Sequence, residues 1–527
     1  MSNQAHLASS AAAYDTKDRA CNDSALSPIL RLPPELLATI FVHCARDYYD
    51  HHQNTDTFVP SWVNVSYVCR HWRSVALGCP TLWAHHFVVS PRWTEELLVR
   101  SRQAPLRICA MLGHELTWFS FVDEWMMHVE RIQELILHLP DRNTHQFLSM
   151  LSLRAPLLQT LKISIVGDYT SPNQSFVLFG GDYPALRILE LSHCPVALSS
   201  LKLTGLTTLV LRFVPIQFRP NMEELLAMLN CIQDLTHLDL HHALASVAGL
   251  SSVAISTWQK INLPRLSRFS IAAPLSTVIA LLSWLNMPLR TEIALQCEYE
   301  VGSSPDDYSL LSSLLAQRLN MAEDQTVPVS AIRSLTAEFK PFSRTLIFSA
   351  SEPESDSFCL RIGVEFSLAT RASDMNRFTS DICCLTPLKS VQGILVQHPP
   401  ISSAFWGKML EHLPNLRRIK LRQGYMPDLA SVLSHTTHEG DGDEKALYGH
   451  PRMLAPALEE LELDQITFLP EDATYPIGIT QRTLMDALST RDAAQGRLAM
   501  TECRILGSHL LPDMVRSWDG GSITYSV

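Results

Sequence analysis

Apolar side chains recur at two spacings in this chain, and the first of them, three and four residues apart, governs the opening stretch. Leu36, Leu37, Ile40, Phe41 and Cys44 form one such series, and Trp62, Val65, Val68, Cys69, Trp72, Val75 and Ala76 form another. Each series lines one side of a helix. Pro33 and Pro34 suit a first turn, where no backbone N–H is needed, and Glu35 sets a carboxylate against the positive end of the helix dipole. Gly78 and Pro80 supply a stop for the second helix. A third helical pattern covers Pro91–Ser101, after which Leu106, Ile108 and Ala110 alternate with other residues at strand spacing.

The second spacing is a unit of one apolar residue, two variable ones, an apolar residue, one variable, and an apolar residue. It occurs at Ile132-Leu135-Leu137, Leu158-Leu161-Ile163, Leu186-Leu189-Leu191, Leu206-Leu209-Leu211, Leu235-Leu238-Leu240 and Leu266-Phe269-Ile271. The first positions lie 26, 28, 20, 29 and 31 residues apart, close to the period of roughly 20 to 29 of leucine-rich repeats. Such a unit is a short strand preceded by a turn that drops one more apolar residue into the same core. Pro156, Pro184 and Pro264 stand just ahead of the first leucine, where a turn leads into the strand. Helical patterns at 222–229 and 276–285 fall between strands. The unit fades at Ile332-Leu335-Ala337, where 344–350 and 358–366 read as two strands around the acidic loop 351–357. It returns at Leu416-Ile419-Leu421 and Leu458-Leu461-Leu463, each again led by a proline, with a loop at 435–450 between them. A last helix is expected at 481–491.

The fold class expected is therefore α/β: a small N-terminal helical domain followed by an irregular leucine-rich-repeat-like solenoid of strand-turn-helix units. An ordinary α/β domain with parallel strands is the alternative. The expected boundaries are a tail at 1–27, the helical domain at 28–90 with an inserted loop at 47–60, the repeat-like domain at 91–506, and a tail at 507–527.

Two short helices with wide apolar faces cannot bury all of that surface against each other in so small a unit. Their residues resemble an F-box. The leading Leu32-Pro33-Pro34-Glu35-Leu36, the later Val68-Cys69-Arg70-His71-Trp72-Arg73 and the trailing Pro80-Thr81-Leu82-Trp83 match its pattern, and the insertion at 47–60 departs from it. Over about residues 28–112, including the Arg100-Ser101 step before Ala104-Pro105-Leu106, the chain is similar to the F-box-like proteins of mushroom-forming fungi. The resemblance implies a three-helix unit that docks a Skp-type adaptor, and through it a cullin, as the substrate-receptor subunit of a ubiquitin ligase whose target is an unknown protein. It assigns Leu32, Pro33, Leu36, Ile40, Val68 and Cys69 to the adaptor face, and Phe41, Trp72 and Trp83 to the core of the small domain. A different class of function stays open: an interaction scaffold in which the same helices only cap the first repeat.

Charge and chemistry narrow this further. The formal charge is -11, and no run of Lys and Arg interleaves with aromatics, which argues against a nucleic-acid partner. No apolar stretch reaches the roughly 18 to 20 residues that span a bilayer, and the N-terminus lacks a signal-peptide pattern. A soluble intracellular protein, cytoplasmic and/or nuclear, is expected. The 12 cysteines lack paired spacing and read as small buried hydrophobes. Phosphate-binding glycine loops and the nucleophile elbow are absent from the sequence. His114-Glu115 lacks the second histidine of a zinc helix, and the pairs His51-His52, His85-His86, His241-His242 and Cys383-Cys384 lack ligand spacing. The expectation is a non-catalytic protein with no catalytic residue, metal or cofactor.

Overall fold

In the computed structural model the described residues are 28–51, 61–87, 91–111, 122, 124–140, 144–166, 176–246 except 197, 199, 200 and 202, 260–299 except 289, 305–320, 332–340, 344–351, 358–366, 372–397 except 384, 403–425, 429–434, 436–437, 452–467, 486–487, 490 and 499–505. The expected tails and most of the loop at 435–450 and the helix at 481–491 lie outside them. The chain divides into two compact units, Met1–Pro172 with Phe176–Leu186, and Asn173–Ser175 with Arg187–Val527.

The first unit opens with helices. α1 (Pro34–His51), a 3-10 helix (Ser61–Tyr67), α2 (Arg70–Leu77), a second 3-10 helix (Pro80–Ala84) and α3 (Pro91–Ser101) surround one core. Leu37, Phe41, Ala45, Trp62, Val63, Ala76, Leu82, Trp83 and Leu97 are buried in it. Four strands follow in parallel register, β1 (His85–Phe87), β2 (Leu106–Met111), β3 (Ile132–Pro140) and β4 (Thr160–Val166), with the short helix α4 (Thr144–Met150) between the last two.

Two sequence expectations differ in detail. The series from Trp62 to Ala76 is not one helix, because Cys69 takes extended backbone (φ -158, ψ 171) and caps α2, so the 3-10 helix and α2 meet at a break. The interval expected to loop out from Asp47 begins as helix instead: α1 runs to His51, with Tyr49 buried, and residues 52–60 lie outside the described set.

The second unit is a mixed α/β region dominated by one large sheet. β5 (Ile188–Ser192), β6 (Thr208–Arg212), β7 (His237–His241), β9 (Arg268–Pro274) and β11 (Glu292–Glu298) lie side by side in parallel, and the two-residue strands β8 (Ile261–Asn262) and β10 (Leu285–Asn286) pair apart from them. α5 (Met222–Asn230), α6 (Leu275–Trp284) and α7 (Pro305–Asn320) occupy crossovers. α5 starts on a capping box, with Glu224 N donating to Asn221 Oδ1 and Asn221 N donating to Glu224 Oε2.

The parallel order is broken once. β12 (Ser334–Lys340), β13 (Thr345–Ser351) and β14 (Phe358–Glu365) form an antiparallel meander inserted in reverse, so β14 sits beside β11 and β12 sits beside β15 (Gly393–Gln397). Parallel pairing resumes through β16 (Arg418–Tyr425), β19 (Glu460–Thr467) and β20 (Ala499–Ile505), with α8 (Ala372–Cys383), α9 (Ser403–His412) and α10 (Leu429–Ser434) between strands, and β17 (Thr436–Thr437) and β18 (Arg452–Met453) form a separate antiparallel pair.

The leucine units and their turns have a shared physical cause. Leu158 N donates to Ala155 O, Leu186 N to Tyr183 O, Leu266 N to Leu263 O, Leu416 N to Leu413 O and Leu458 N to Ala455 O. In all five a proline holds the second place of a tight turn that aims the leucine inward, as its fixed φ favours. The strand behind each turn then alternates, and Leu189, Leu191, Leu209, Leu211, Leu238, Leu240, Phe269 and Ile271 are all buried.

Candidate functional site

α1 carries two apolar ridges, and only one of them is used by the unit that contains it. Leu37, Phe41, Ala45 and Tyr49, four residues apart, are buried. Leu36 and Ile40, one position earlier in each turn, are 52% and 39% exposed, and Cys44 continues the same ridge toward solvent. Residues at i and i+4 stack along a helix, so the outer set is a continuous line of carbon and sulfur facing water. Pro33 presents its carbonyl to Leu36 N and Leu37 N at 3.0 and 3.1 Å and so fixes where the ridges begin.

The approach to α2 adds to this surface. Val68 is 58% and Tyr67 70% exposed, both on the segment where the 3-10 helix breaks before α2. Cys69 is half-buried, because its Sγ accepts from Trp72 N at 3.4 Å as the cap of α2. Leu32 is also half-buried and packs against the core, while Pro33 is exposed. Of the six residues assigned to the adaptor face, Pro33, Leu36, Ile40 and Val68 therefore lie open, and Leu32 and Cys69 are shared with the interior. Sequence reasoning omitted Tyr67, whose place next to Val68 was the available signal, and Leu77, exposed at the end of α2.

The core beneath is held by aromatic contacts. Phe41 and Trp72 lie with ring centroids 5.0 Å apart, Trp62 meets Trp83 edge-on at 5.6 Å, and Trp83 Nε1 donates to Ala76 O at 2.7 Å. Arg100 on α3 sits over the Trp83 ring at 4.3 Å, its Nε bound to Glu96. Next to it Ser101 is fully buried and receives a hydrogen bond from Arg131 Nη2. The Arg100-Ser101 step therefore ties α3 to the helical core on one side and to the start of β3 on the other.

The far end of α1 is anchored as well. Tyr49 packs with Cys109 and Ile136 and meets the His85 ring at 5.7 Å. Burial, with the Arg107 guanidinium nearby, pulls the His85 pKa down to about 4, and burial pushes the Cys109 thiol up to about 12. Neither side chain is poised for chemistry near neutral pH.

Among the described residues no group of three or more His, Cys, Asp and Glu is placed to hold a metal, and no helix is long and apolar enough to cross a membrane. Cys109, Cys194, Cys297 and Cys383 are buried free thiols, whereas Cys44 and Cys231 are exposed, unlike the expectation for cysteines in general. A comparison with curated proteins returns nothing that matches the chain. The family model for F-box-like domains matches residues 29–89, the stretch that holds α1, α2 and both apolar ridges, so this chain carries an F-box-like domain, a kind of domain that generally binds Skp-type adaptors and suggests a role in ubiquitin ligation or protein interaction.

Proposed function

We propose that the chain is a substrate-receptor subunit of a Skp-cullin-F-box ubiquitin ligase. The F-box-like helices dock a Skp-type adaptor, the adaptor joins a cullin, and the sheet-dominated region binds the protein to be modified. The observation that carries this reading is the outer ridge of α1, with Leu36 and Ile40 left open beside a complete core, together with Tyr67 and Val68. An ordered run of apolar side chains on water is a feature of surfaces that meet partners. On this reading the sheet region is a degenerate leucine-rich-repeat platform, as in the F-box-like proteins of mushroom-forming fungi. Its recurring leucines and the proline turns at Leu266, Leu416 and Leu458 support that, and the β12–β14 meander is its largest departure from regularity. The chain supplies no nucleophile of its own and works in the cytoplasm and/or nucleus.

A second reading, a scaffold in which the helices only cap the first strands, draws on the burial of Tyr49 against Cys109 and Ile136. Co-purification with a Skp-type adaptor separates the two. Leu36→Ala/Ile40→Ala weakens capture by roughly 10- to 100-fold, since interface energy concentrates in a few anchors, while folding stability stays within about 1 kcal/mol. Leu37→Ala, one residue away and fully buried, costs roughly 2–5 kcal/mol of stability instead. No capture by the intact chain, or capture unchanged in a folded double variant, favours the scaffold.

A further inference from the structure

The solvent side of α2 carries positive charge that its own unit does not balance. Trp72, Val75 and Ala76 turn inward to the helical core, so Arg70, Arg73, Ser74 and Leu77, set three, four and seven residues apart, share the opposite side. Arg70, Arg73 and Ser74 are exposed, and Leu77 is exposed among them. Leu77 stands one turn from Arg73 and two from Arg70, an apolar side chain on the same helix side as two guanidinium groups. Tyr67 and Val68, both open, stand three and two residues ahead of Arg70 at the head of the same helix.

Among the described residues no carboxylate pairs with these two cations. Between Asp56 and Glu95 the sequence holds no acidic residue, in a chain that has 53 of them and a formal charge of -11. Arg46, Arg100, Arg107 and Arg154 of the same unit lie within 3.8 Å of Asp50, Glu96, Glu134 and Asp182, whereas Arg70 and Arg73 make no ion pair with another described residue. Their position also works against the helix. The first turn of α2 contains no acidic residue, and it is the end where unsatisfied N–H groups and the dipole disfavour a cation. The isolated fold gains nothing from either charge. A partner that brings carboxylates offsets both the guanidinium groups and the dipole behind them.

We propose that the partner seated on this domain is acidic where it meets α2, its carboxylates facing Arg70 and Arg73 around an apolar contact with Val68 and Leu77. The proposal rests on the reading of the chain as a receptor docked on a Skp-type adaptor, and it names the charge of the adaptor's docking face. The residues concerned lie within the stretch 29–89 that matches the F-box-like model, so this surface is continuous in sequence with the docking helices. Exposed charges at the edge of an interface act on the rate of encounter and its salt dependence more than on the lifetime of the complex, because their attraction reaches over a Debye length of ~10 Å at 0.1 M salt. A nucleic acid suits this surface less. Two guanidinium groups neutralise few phosphates, and open Leu and Val side chains find no counterpart on a phosphate backbone.

The test is the rate at which a purified Skp-type adaptor associates with the full-length chain, measured by interferometry at roughly 0.05 and 0.5 M salt. The native rate is expected to fall about tenfold between the two. Arg70→Gln/Arg73→Gln is expected to slow association at low salt about fivefold, to lose most of the salt dependence, and to leave dissociation within about twofold. The same variant melts no lower than the native chain, because it takes two cations away from the positive end of α2. Leu77→Ala speeds dissociation instead. Association of the native chain that is indifferent to salt overturns the proposal. So does a double variant that associates at the native rate, one whose lost binding is matched by a lower melting temperature, or a short duplex oligonucleotide that displaces the adaptor. No binding of the adaptor by the native chain removes the ligase reading and this proposal together, whereas salt-independent binding removes this proposal alone.

Discussion

His85 shows how one residue ties burial to pH. It begins β1, is 6% exposed, and stands against the Tyr49 ring at the end of α1. Its folded pKa is about 4, against an ordinary value of 6.5. The unfolded chain therefore takes up a proton between these values and the folded chain does not, so stability rises with pH across the window. The contribution is complete above about pH 6.5 and lost as pH falls to 4. At most about 3 kcal/mol is at stake. Urea unfolding at steps across this range is expected to show a steeper acid loss for the native chain than for His85→Asn, and parallel curves contradict the assignment. Residues of this kind were hard to read in advance. The sequence presents Leu36 and Leu37 as equivalent members of an apolar stripe, and only the packing of Phe41, Trp62 and Trp83 decides which of the two is inside. Similarly, Leu32 and Cys69 carry the right residue types for a docking face, but one packs on the core and the other is occupied as a cap.

Elements were legible where a local rule dictates them. The proline turns are an example: fixed φ at the second turn position does not depend on distant packing, and all five turns formed where the prolines stand. The hydroxyl ladder at the strand starts, Thr207 to Arg187 O, Thr236 to Thr207 O and Ser267 to Thr236 O, was not legible, since each bond joins residues 20 to 31 positions apart. The reversed order of β12, β13 and β14 was hidden for the same reason. Two strands around an acidic loop were readable, but their neighbours are set by long-range pairing. The split between the 3-10 helix and α2 is local and can be tested locally. Cys69 holds the N-cap position with extended backbone, where its sulfur is a weak acceptor at 3.4 Å. Serine is the better cap. Cys69→Ser is expected to raise the stability of the helical part by about 0.5–1 kcal/mol, and Cys69→Ala to lower it, both measured by thermal unfolding. Equal melting of the two variants shows that the cap carries no weight.

For the whole molecule, the pattern of the chain foretold a helical beginning and a long strand-rich remainder, and a helical region followed by a mixed α/β region is what the structure contains. It did not foretell how regular the remainder is, because leucine triplets report a strand and its turn and not the sheet in which they lie. The central claim concerns the helical part alone: an apolar ridge on α1, uncovered by its own unit, is the seat of a Skp-type adaptor. Amide hydrogen exchange of the full chain with and without saturating adaptor tests this most directly. The account predicts added protection in α1 around Leu36 to Cys44 and in the segment from Tyr67 to Trp72, with none in β6, β7 or β9. Adaptor binding that leaves α1 and that segment unprotected, or that protects the strands instead, contradicts it.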